Sequence, residues 1–302
     1  ALCKAIFVWR IVLNYIIFDL EWNNAYNYAV GKFTNDIIEI GAVKLDEKLN
    51  IVDSFKQLVR PDGFKKLSSR CKNLTKITND EINQEGISFK KAITEFAAWG
   101  GGENSVFLSW SNSDLYVLTS NYFASFGNAD ISFMKHYCDA QKYCMSFLEC
   151  DKNNQVSLAN CAEQFEISVD TSVLHRALED CYVTTYCLKK VFDKKKIAEY
   201  ISDCDVRFFA RLMYKPFYIK VPKTDYFDIS EVEVKCPRCS ENMQKLEDFS
   251  FYNNTFKAPF RCKKCKKTYW TFVRAKKTYD DVIVKVSTTE MNKRRAGKYK
   301  NK

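Results

Sequence analysis

Long apolar runs are missing from this chain. Its opening stretch, Ala1 to Leu13, is apolar but is broken by Lys4 and Arg10. It is too short and too interrupted to span a bilayer, and no A-x-A-like cleavage site follows it. We read residues 1–13 as an N-terminal extension and expect no membrane contact. A disulfide-framework spacing is missing too. Of the thirteen cysteines, an odd count, nine are scattered. Scattered cysteines in a chain of this size read as reduced, buried thiols, so we expect a cytoplasmic protein. Histidine is scarce: His136 and His175 are the only two. With 46% hydrophobic residues, the composition excludes a disordered chain.

What is present divides unevenly. The formal net charge is +10. Residues 14–193 carry 18 Lys and Arg against 24 Asp and Glu, a net of −6. Residues 194–302 carry 27 against 13, a net of +14. An acidic first part and a strongly basic second part suggest two modules, the second suited to a polyanion. We expect a domain over 14–193, a connector over 194–232, a basic module over 233–290 and a basic, disordered tail over 291–302.

The acidic part is organised around Tyr15-Ile16-Ile17-Phe18-Asp19-Leu20-Glu21. The apolar run suits a strand buried on both faces. Side chains alternate along a strand, so Asp19 and Glu21 project to one side at its end. Two carboxylates that close repel each other unless a cation lies between them. Hard oxygen ligands favour magnesium or manganese over zinc. Taken alone, the pair also fits an acidic, solvated strand end.

A polar loop is expected over Asn23–Asn35, then strands over Asp36–Asp46 and Leu49–Arg60 joined as a hairpin. Asn79 and Asp80 are capping candidates for a short helix. Ser88–Trp99 has helical spacing, and Gly100-Gly101-Gly102 ends it. Ser105–Trp110 reads as a fourth strand and Leu115–Phe126 as a helix. Met134–Cys138 reads as a fifth strand, followed by helices after Asp139, over Ser157–Phe165 and over Val173–Phe192. Hairpin strands followed by alternating helix and strand imply an α/β fold, a mixed sheet flanked by helices.

Asp114 follows the fourth strand at the start of a helix. Strands one and four could lie side by side, with their ends at the sheet edge where ligands gather. His175 and Asp180 are five residues apart, about 140° around a helix. They can serve one site only if His175 lies on the preceding loop or first turn. Glu179 points elsewhere and reads as solvated. His136, beside Tyr137 and Cys138 in a strand, reads as structural.

Together these residues resemble the DEDDh exonucleases, the 3′–5′ exonuclease family that includes ribonuclease T and a bacterial proofreading subunit. The family's D-x-E strand motif is matched by Asp19 and Glu21. Its later aspartate is matched by Asp114, and its H-x4-D motif by His175 and Asp180. Glu39-Ile40-Gly41-Ala42 and Leu74-Thr75-Lys76-Ile77-Thr78 fit smaller family patterns. Trp110 before the second motif is similar to the histone-mRNA exonuclease and sporulation-inhibitor-type subgroup. The resemblance covers residues 14–193. It implies a ribonuclease H-like fold, with two Mg²⁺ or Mn²⁺ ions held by Asp19, Glu21, Asp114 and Asp180. It implies His175 as the base that takes the proton from the attacking water, and Leu20, Trp22, Thr75 and Ile77 as contacts to the terminal nucleotide. The partner implied is single-stranded RNA or DNA.

In the basic part, Lys194-Lys195-Lys196 precedes an aromatic stretch broken by Pro216 and Pro222. Then Cys236 and Cys239 are separated by 22 residues from Cys262 and Cys265. Paired C-x-x-C knuckles at that separation are the signature of a zinc ribbon holding one structural Zn²⁺. The strand-like stretches Phe249–Phe256 and Thr268–Val273 fit its hairpins. From Lys235 to Arg274 there are ten basic residues against three acidic ones, interleaved with Tyr252, Phe256, Phe260, Tyr269 and Trp270. That mixture suits a single-strand binding face; a solvated basic appendage is the alternative. The rival reading for the whole chain is a nucleic-acid-binding regulatory adaptor with an inactive exonuclease-like domain.

Overall fold

Along the first strand, side chains alternate between two hydrophobic cores. Tyr15 and Ile17 enter one core with Val43, Leu108, Cys181 and Leu188. Ile16, Phe18 and Leu20 enter the other with Ile40, Phe96, Phe107 and Leu115. This two-sided burial is what a continuous apolar run dictates for a central strand. The computed structural model describes residues 14–27, 30–62, 66–149, 155–169 and 175–299. The extension read over residues 1–13 lies outside the described residues.

The chain divides into two compact units at Met213–Tyr214. In the first, β1 (Asn14–Asn27) pairs antiparallel with β2 (Lys32–Leu45), and β2 with β3 (Ile51–Arg60). Then come α1 (Ser69–Thr75), α2 (Asn79–Glu85), β4 (Ile87–Ser88) and α3 (Phe89–Gly100). β5 (Ser105–Ser109) runs parallel to β1, matching Asn14 with Ser105 and Ile17 with Leu108. It leads into α4 (Asn112–Phe126), β6 (His136–Asp139), α5 (Ala140–Met145) and α6 (Leu158–Gln164). The unit closes with α7 (Ala177–Lys190), α8 (Lys194–Ala198), β7 (Ile201–Asp203) and α9 (Val206–Met213). The strand order is β4-β3-β2-β1-β5-β6-β7, a mixed seven-stranded sheet flanked by helices.

Local chemistry sets the helix starts. Thr78 and Glu81 form a reciprocal capping box on α2, and Ser88 Oγ caps α3. Phe89, Ile93 and Phe96 then share the buried face of α3.

The expected polar loop over Asn23–Asn35 is instead the far half of the β1–β2 hairpin. Asn23 pairs with Asp36 and Tyr26 with Phe33. Ladder bonds use the backbone, so polar side chains do not stop the strand, and Asn24 Nδ2 donates to Asn35 Oδ1 at 2.6 Å. The connector read over 194–232, expected to pack partly on the first domain, does so at its start. β7 joins the sheet edge antiparallel to β6, and α9 buries Phe209 in the second core. The last long helix begins at Ala177, later than expected, because His175 has φ +71° and Arg176 is extended.

The second unit is an antiparallel sheet in the order β11-β13-β14-β15. Its strands are β8 (Phe217–Tyr218), β9 (Lys223–Thr224), β10 (Phe227–Asp228), β11 (Met243–Lys245), β12 (Ser250–Tyr252), β13 (Thr255–Cys262), β14 (Thr268–Lys277) and β15 (Val282–Glu290). β12 pairs with β13 and β8 with β14, while β9 and β10 pair with each other as a separate two-stranded sheet. The stretch Phe249–Phe256, expected to fit a ribbon's hairpin, turns back on itself so that β12 pairs with β13. Asn253 and Asn254 both have positive φ, +49° and +57°, and Asn accepts that conformation in a two-residue turn. The expected disordered tail starts with α10 (Lys293–Gly297), capped by Asn292.

Candidate active site

β1 and β5 run parallel, so their C-terminal ends meet one edge of the sheet. A cavity of about 620 Å³ opens there. Asp19 and Glu21 lie on its wall, along with Asp114, His175 and Asp180. Side-chain oxygens of Asp19, Glu21 and Asp180 all lie within 4.8 Å of one another. Asp114 comes from the first turn of α4, outside that trio, and accepts the Leu20 N–H at 3.2 Å. Its helix is aimed by a tight turn at Ser111, which has φ +88°. The Ser111 carbonyl accepts from Ser109 Oγ at 2.6 Å and from Tyr137 Oη at 3.0 Å.

The other side of the cavity depends on a buried ion pair. Glu39 on β2 has no solvent exposure. It accepts from Arg176 Nε at 3.2 Å, from Arg176 Nη2 at 2.7 Å and from the Ala177 N–H at the start of α7 at 3.0 Å. Two residues on, Gly41 lets α7 approach the sheet closely. A Cβ there would meet Leu178 N at 2.2 Å. These contacts place the left-handed His175 just before α7, where its backbone N–H donates to Asp180 Oδ2 at 3.3 Å.

Crowding and burial raise the proton affinity of these carboxylates. Burial pushes Glu21 up to about 9, helped by the charges of Asp180, Glu39 and Asp114. Burial lifts Asp114 to about 7 against the Leu20 N–H bond. Burial also lifts Asp180 to about 6, although His175 opposes this. Asp19 is held well above the carboxylate range by burial and then by Asp114, Asp180, Glu21 and Glu39. Such a set is unfavourable as anions and suited to a divalent cation.

Of the expected substrate contacts, Leu20 and Trp22 line the cavity, although the Leu20 side chain packs into the second core. Thr75 and Ile77 do not. Both are buried, and the Thr75 hydroxyl donates to Cys71 O and accepts from the Ile77 N–H. These bonds end α1 and turn the two side chains inward, so the neighbouring Leu74 faces the cavity instead. Glu179 is not on the wall, and His136 bonds Asp203 across β6 and β7 at 2.9 Å. Sequence reading missed the clamp of Glu39 on Arg176. The only signal was an acid inside an otherwise apolar strand, which becomes meaningful once its partner is known. It also missed Arg70 and Leu158 on the wall.

In the second unit, the sulfurs of Cys236, Cys239, Cys262 and Cys265 lie within 4.8 Å of one another. Cys236 and Cys265 are 3.6 Å apart, and Cys239 and Cys262 are 3.4 Å apart. Tetrahedral thiolates around zinc, with bonds of about 2.3 Å, stand about 3.8 Å apart. The two knuckles match each other. The residue after each second cysteine, Ser240 or Lys266, has φ near +60°. Backbone N–H groups at Arg238 and Cys239 point at Cys236, and those at Cys265 and Lys264 at Cys262. Donors in that position favour a thiolate.

A family model described as Exonuclease (RNase T) matches residues 16–188. Over 170 residues the chain is 31% identical to "Probable 3′–5′ exonuclease KapD" of Bacillus subtilis (strain 168), covering 56% of this chain and 78% of that protein. Among solved structures, the nuclease domain of 3′hExo, a DEDDh family member bound to rAMP, aligns with a TM-score of 0.52. Identity there is 22%, over 60% of this chain and 92% of that one. Cell-death related nuclease 4 (CRN-4) aligns with a TM-score of 0.50 at 16% identity, over 76% of this chain and 87% of that one.

Proposed function

This chain belongs to the exonuclease family of ribonuclease T, and we propose that it is a metal-dependent enzyme removing nucleotides from the 3′ end of single-stranded nucleic acid. One observation carries the reading: four carboxylates and a histidine, drawn from β1, α4, α7 and the loop before α7, line one cavity at the sheet edge. Their raised proton affinities fit a site built for cations. Asp19, Glu21, Asp114 and Asp180 would hold two Mg²⁺ or Mn²⁺ ions. Bound there, such ions offset the charge that develops on phosphate oxygens and acidify a water.

The chain's own residues supply the rest. His175 is exposed just before α7 and lines the cavity, and it takes the proton of the attacking water. The left-handed turn and the hydrogen bond to Asp180 hold its backbone in place. Trp22 and Leu74 offer apolar surface to the terminal base, and Arg70 offers charge to a phosphate. In the second unit, the four cysteines would hold one structural Zn²⁺, leaving no ligand position open for catalysis.

The test is degradation of a 5′-labelled single strand, RNA and DNA in parallel, with Mg²⁺, Mn²⁺ or chelator. We expect a metal-dependent ladder that shortens from the 3′ end. Asp19→Asn should slow it by at least about 10²-fold, the scale of losing one group that stabilises a transition-state charge, while binding persists. Strands that stay intact in every lane yet are bound by the protein would instead support the adaptor reading.

A further inference from the structure

The second unit has a sheet with two unlike faces. Along β14, Tyr269, Thr271, Val273 and Ala275 point inward and are buried. The alternate residues, Trp270, Phe272 and Arg274, face the other way. An antiparallel sheet with one covered face normally shows polar residues on the other. Here that open face is aromatic and cationic.

Register gathers the residues into rows. Ser250 pairs with Lys257, Lys257 with Phe272, and Phe272 with Ser287. In the next row Tyr252 pairs with Thr255, Arg274 Nε donates to Thr255 Oγ1 at 2.9 Å, and Arg274 pairs with Lys285. Residues directly opposite on antiparallel strands share a face. These residues wall a cavity of about 800 Å³. Its lining contains three cations and no acid. Among the described residues, none of Lys257, Arg274 and Lys285 makes an ion pair. The Lys257 ammonium instead lies 4.1 Å from the centre of the Trp270 ring. Tyr252 stands at the rim and is 84% exposed.

We propose that this face is a second nucleic-acid site, in which Lys257, Arg274 and Lys285 hold the phosphates of a single strand and Tyr252 stacks on a base. Charge complementarity selects the occupant: three cations with no acid among them attract a polyanion. The exposed ring selects among polyanions, because a base has a flat face to meet it and a carboxylate or lipid phosphate has none. Duplex is disfavoured because its bases are already stacked. The role given to the site, retaining strands for the first unit, rests on the exonuclease reading. Binding at the groove does not.

The experiment uses the full chain with Mg²⁺ and Mn²⁺ omitted and no chelator added, so that the strand is not cleaved and the four-cysteine site keeps its metal. Binding of a fluorescent 20-nucleotide single strand is followed by anisotropy across a salt series. The probes are poly-dT and poly-rU. For the variant K257Q/R274Q/K285Q, affinity should fall at least tenfold. The slope of log affinity against log salt should flatten by about 2, three contacts at about 0.7 each. Tyr252→Ala, at a fully solvated ring that no fold depends on, should weaken binding about 5- to 100-fold without changing the slope. Hydrolysis of a nucleotide p-nitrophenyl ester, which carries one base and one phosphate, should be unaffected by either change. If wild-type protein leaves that ester intact and groove variants still lose binding, the exonuclease reading fails and the groove stands. Unchanged affinity and slope in the triple variant overturn the groove. So does displacement of the strand by poly-glutamate at equal charge concentration.

Discussion

Glu21, Asp114 and Asp180, with proton affinities raised to about 9, 7 and 6, make the active cavity a pH-dependent liability for the fold. A carboxyl whose folded pKa exceeds its unfolded value binds its proton more tightly when folded. Its stabilising contribution is therefore complete below the unfolded value, about 4, and is lost as pH rises through the folded one. Without divalent metal, the melting temperature of the first unit should fall between about pH 4 and 9. Saturating Mg²⁺ or Mn²⁺ should raise it most at the alkaline end, because metal and protons compete for the same oxygens. Differential scanning fluorimetry with and without metal checks this; a metal-induced shift that is flat with pH would contradict it. Asp19 and Glu21 were legible from spacing as a candidate pair, and the family resemblance joined Asp180 to them; the proximity of their oxygens, within 4.8 Å, came only with the fold. Thr75 and Ile77 were not read correctly, because whether a side chain at a helix end turns in or out depends on the bonds that end the helix.

At the scale of elements, the site depends on how α7 meets β2. Arg176 is the partner of a carboxylate with no access to water. Removing one member of a buried pair costs about 3–5 kcal/mol when nothing else meets the remaining charge. Here the Lys56 ammonium, 3.8 Å from Glu39 Oε1, and the Ala177 N–H remain, so Arg176→Ala should lower the unfolding free energy in chemical denaturation by less than that, about 1–3 kcal/mol, with activity lost as well. Gly41→Ala tests the same contact sterically. Its Cβ would strike the backbone of Ala177 and Leu178, which cannot yield without moving α7. We expect kcat to fall more than KM rises, since His175 and Asp180 would shift while the β1 and α1 walls stay in place. An unchanged kcat in Gly41→Ala would rule out the close approach as a support of the site. Strands and helices with strong periodicity were readable beforehand. The far half of the β1–β2 hairpin was not, because its asparagines resemble a loop and only their ladder partners make them a strand. Neither was β7, three residues that become a strand by lying beside β6.

At the scale of the whole molecule, each unit has its own core. The first buries two apolar layers around β1, and the second buries Val234, Met243, Ala258 and Phe260 beside the cysteines. A small unit of that kind would rely on the proposed zinc, since structural zinc sites contribute on the order of 10 kcal/mol or more. Treatment with 1,10-phenanthroline should therefore remove the thermal transition of the second unit and leave that of the first. Cys262→Ser should do the same, with zinc content measured by mass spectrometry falling to zero from one per chain. Among the described residues, no helix is long and apolar enough to cross a membrane.

The sequence alone determined the kind of chemistry available to this protein. Carboxylate spacing on a strand, a histidine five residues from an aspartate and two cysteine pairs are local patterns, and local backbone geometry translates them directly into donor sets. Only the tertiary structure decided which groups share a cavity and what holds them there. Glu39 and Arg176 are 137 residues apart, and Lys257, Arg274 and Lys285 come from three strands whose register lies in no single segment. Contacts of that range arise only when separate elements bury their apolar faces together. They therefore belong to the packed molecule and leave no periodic trace in the chain.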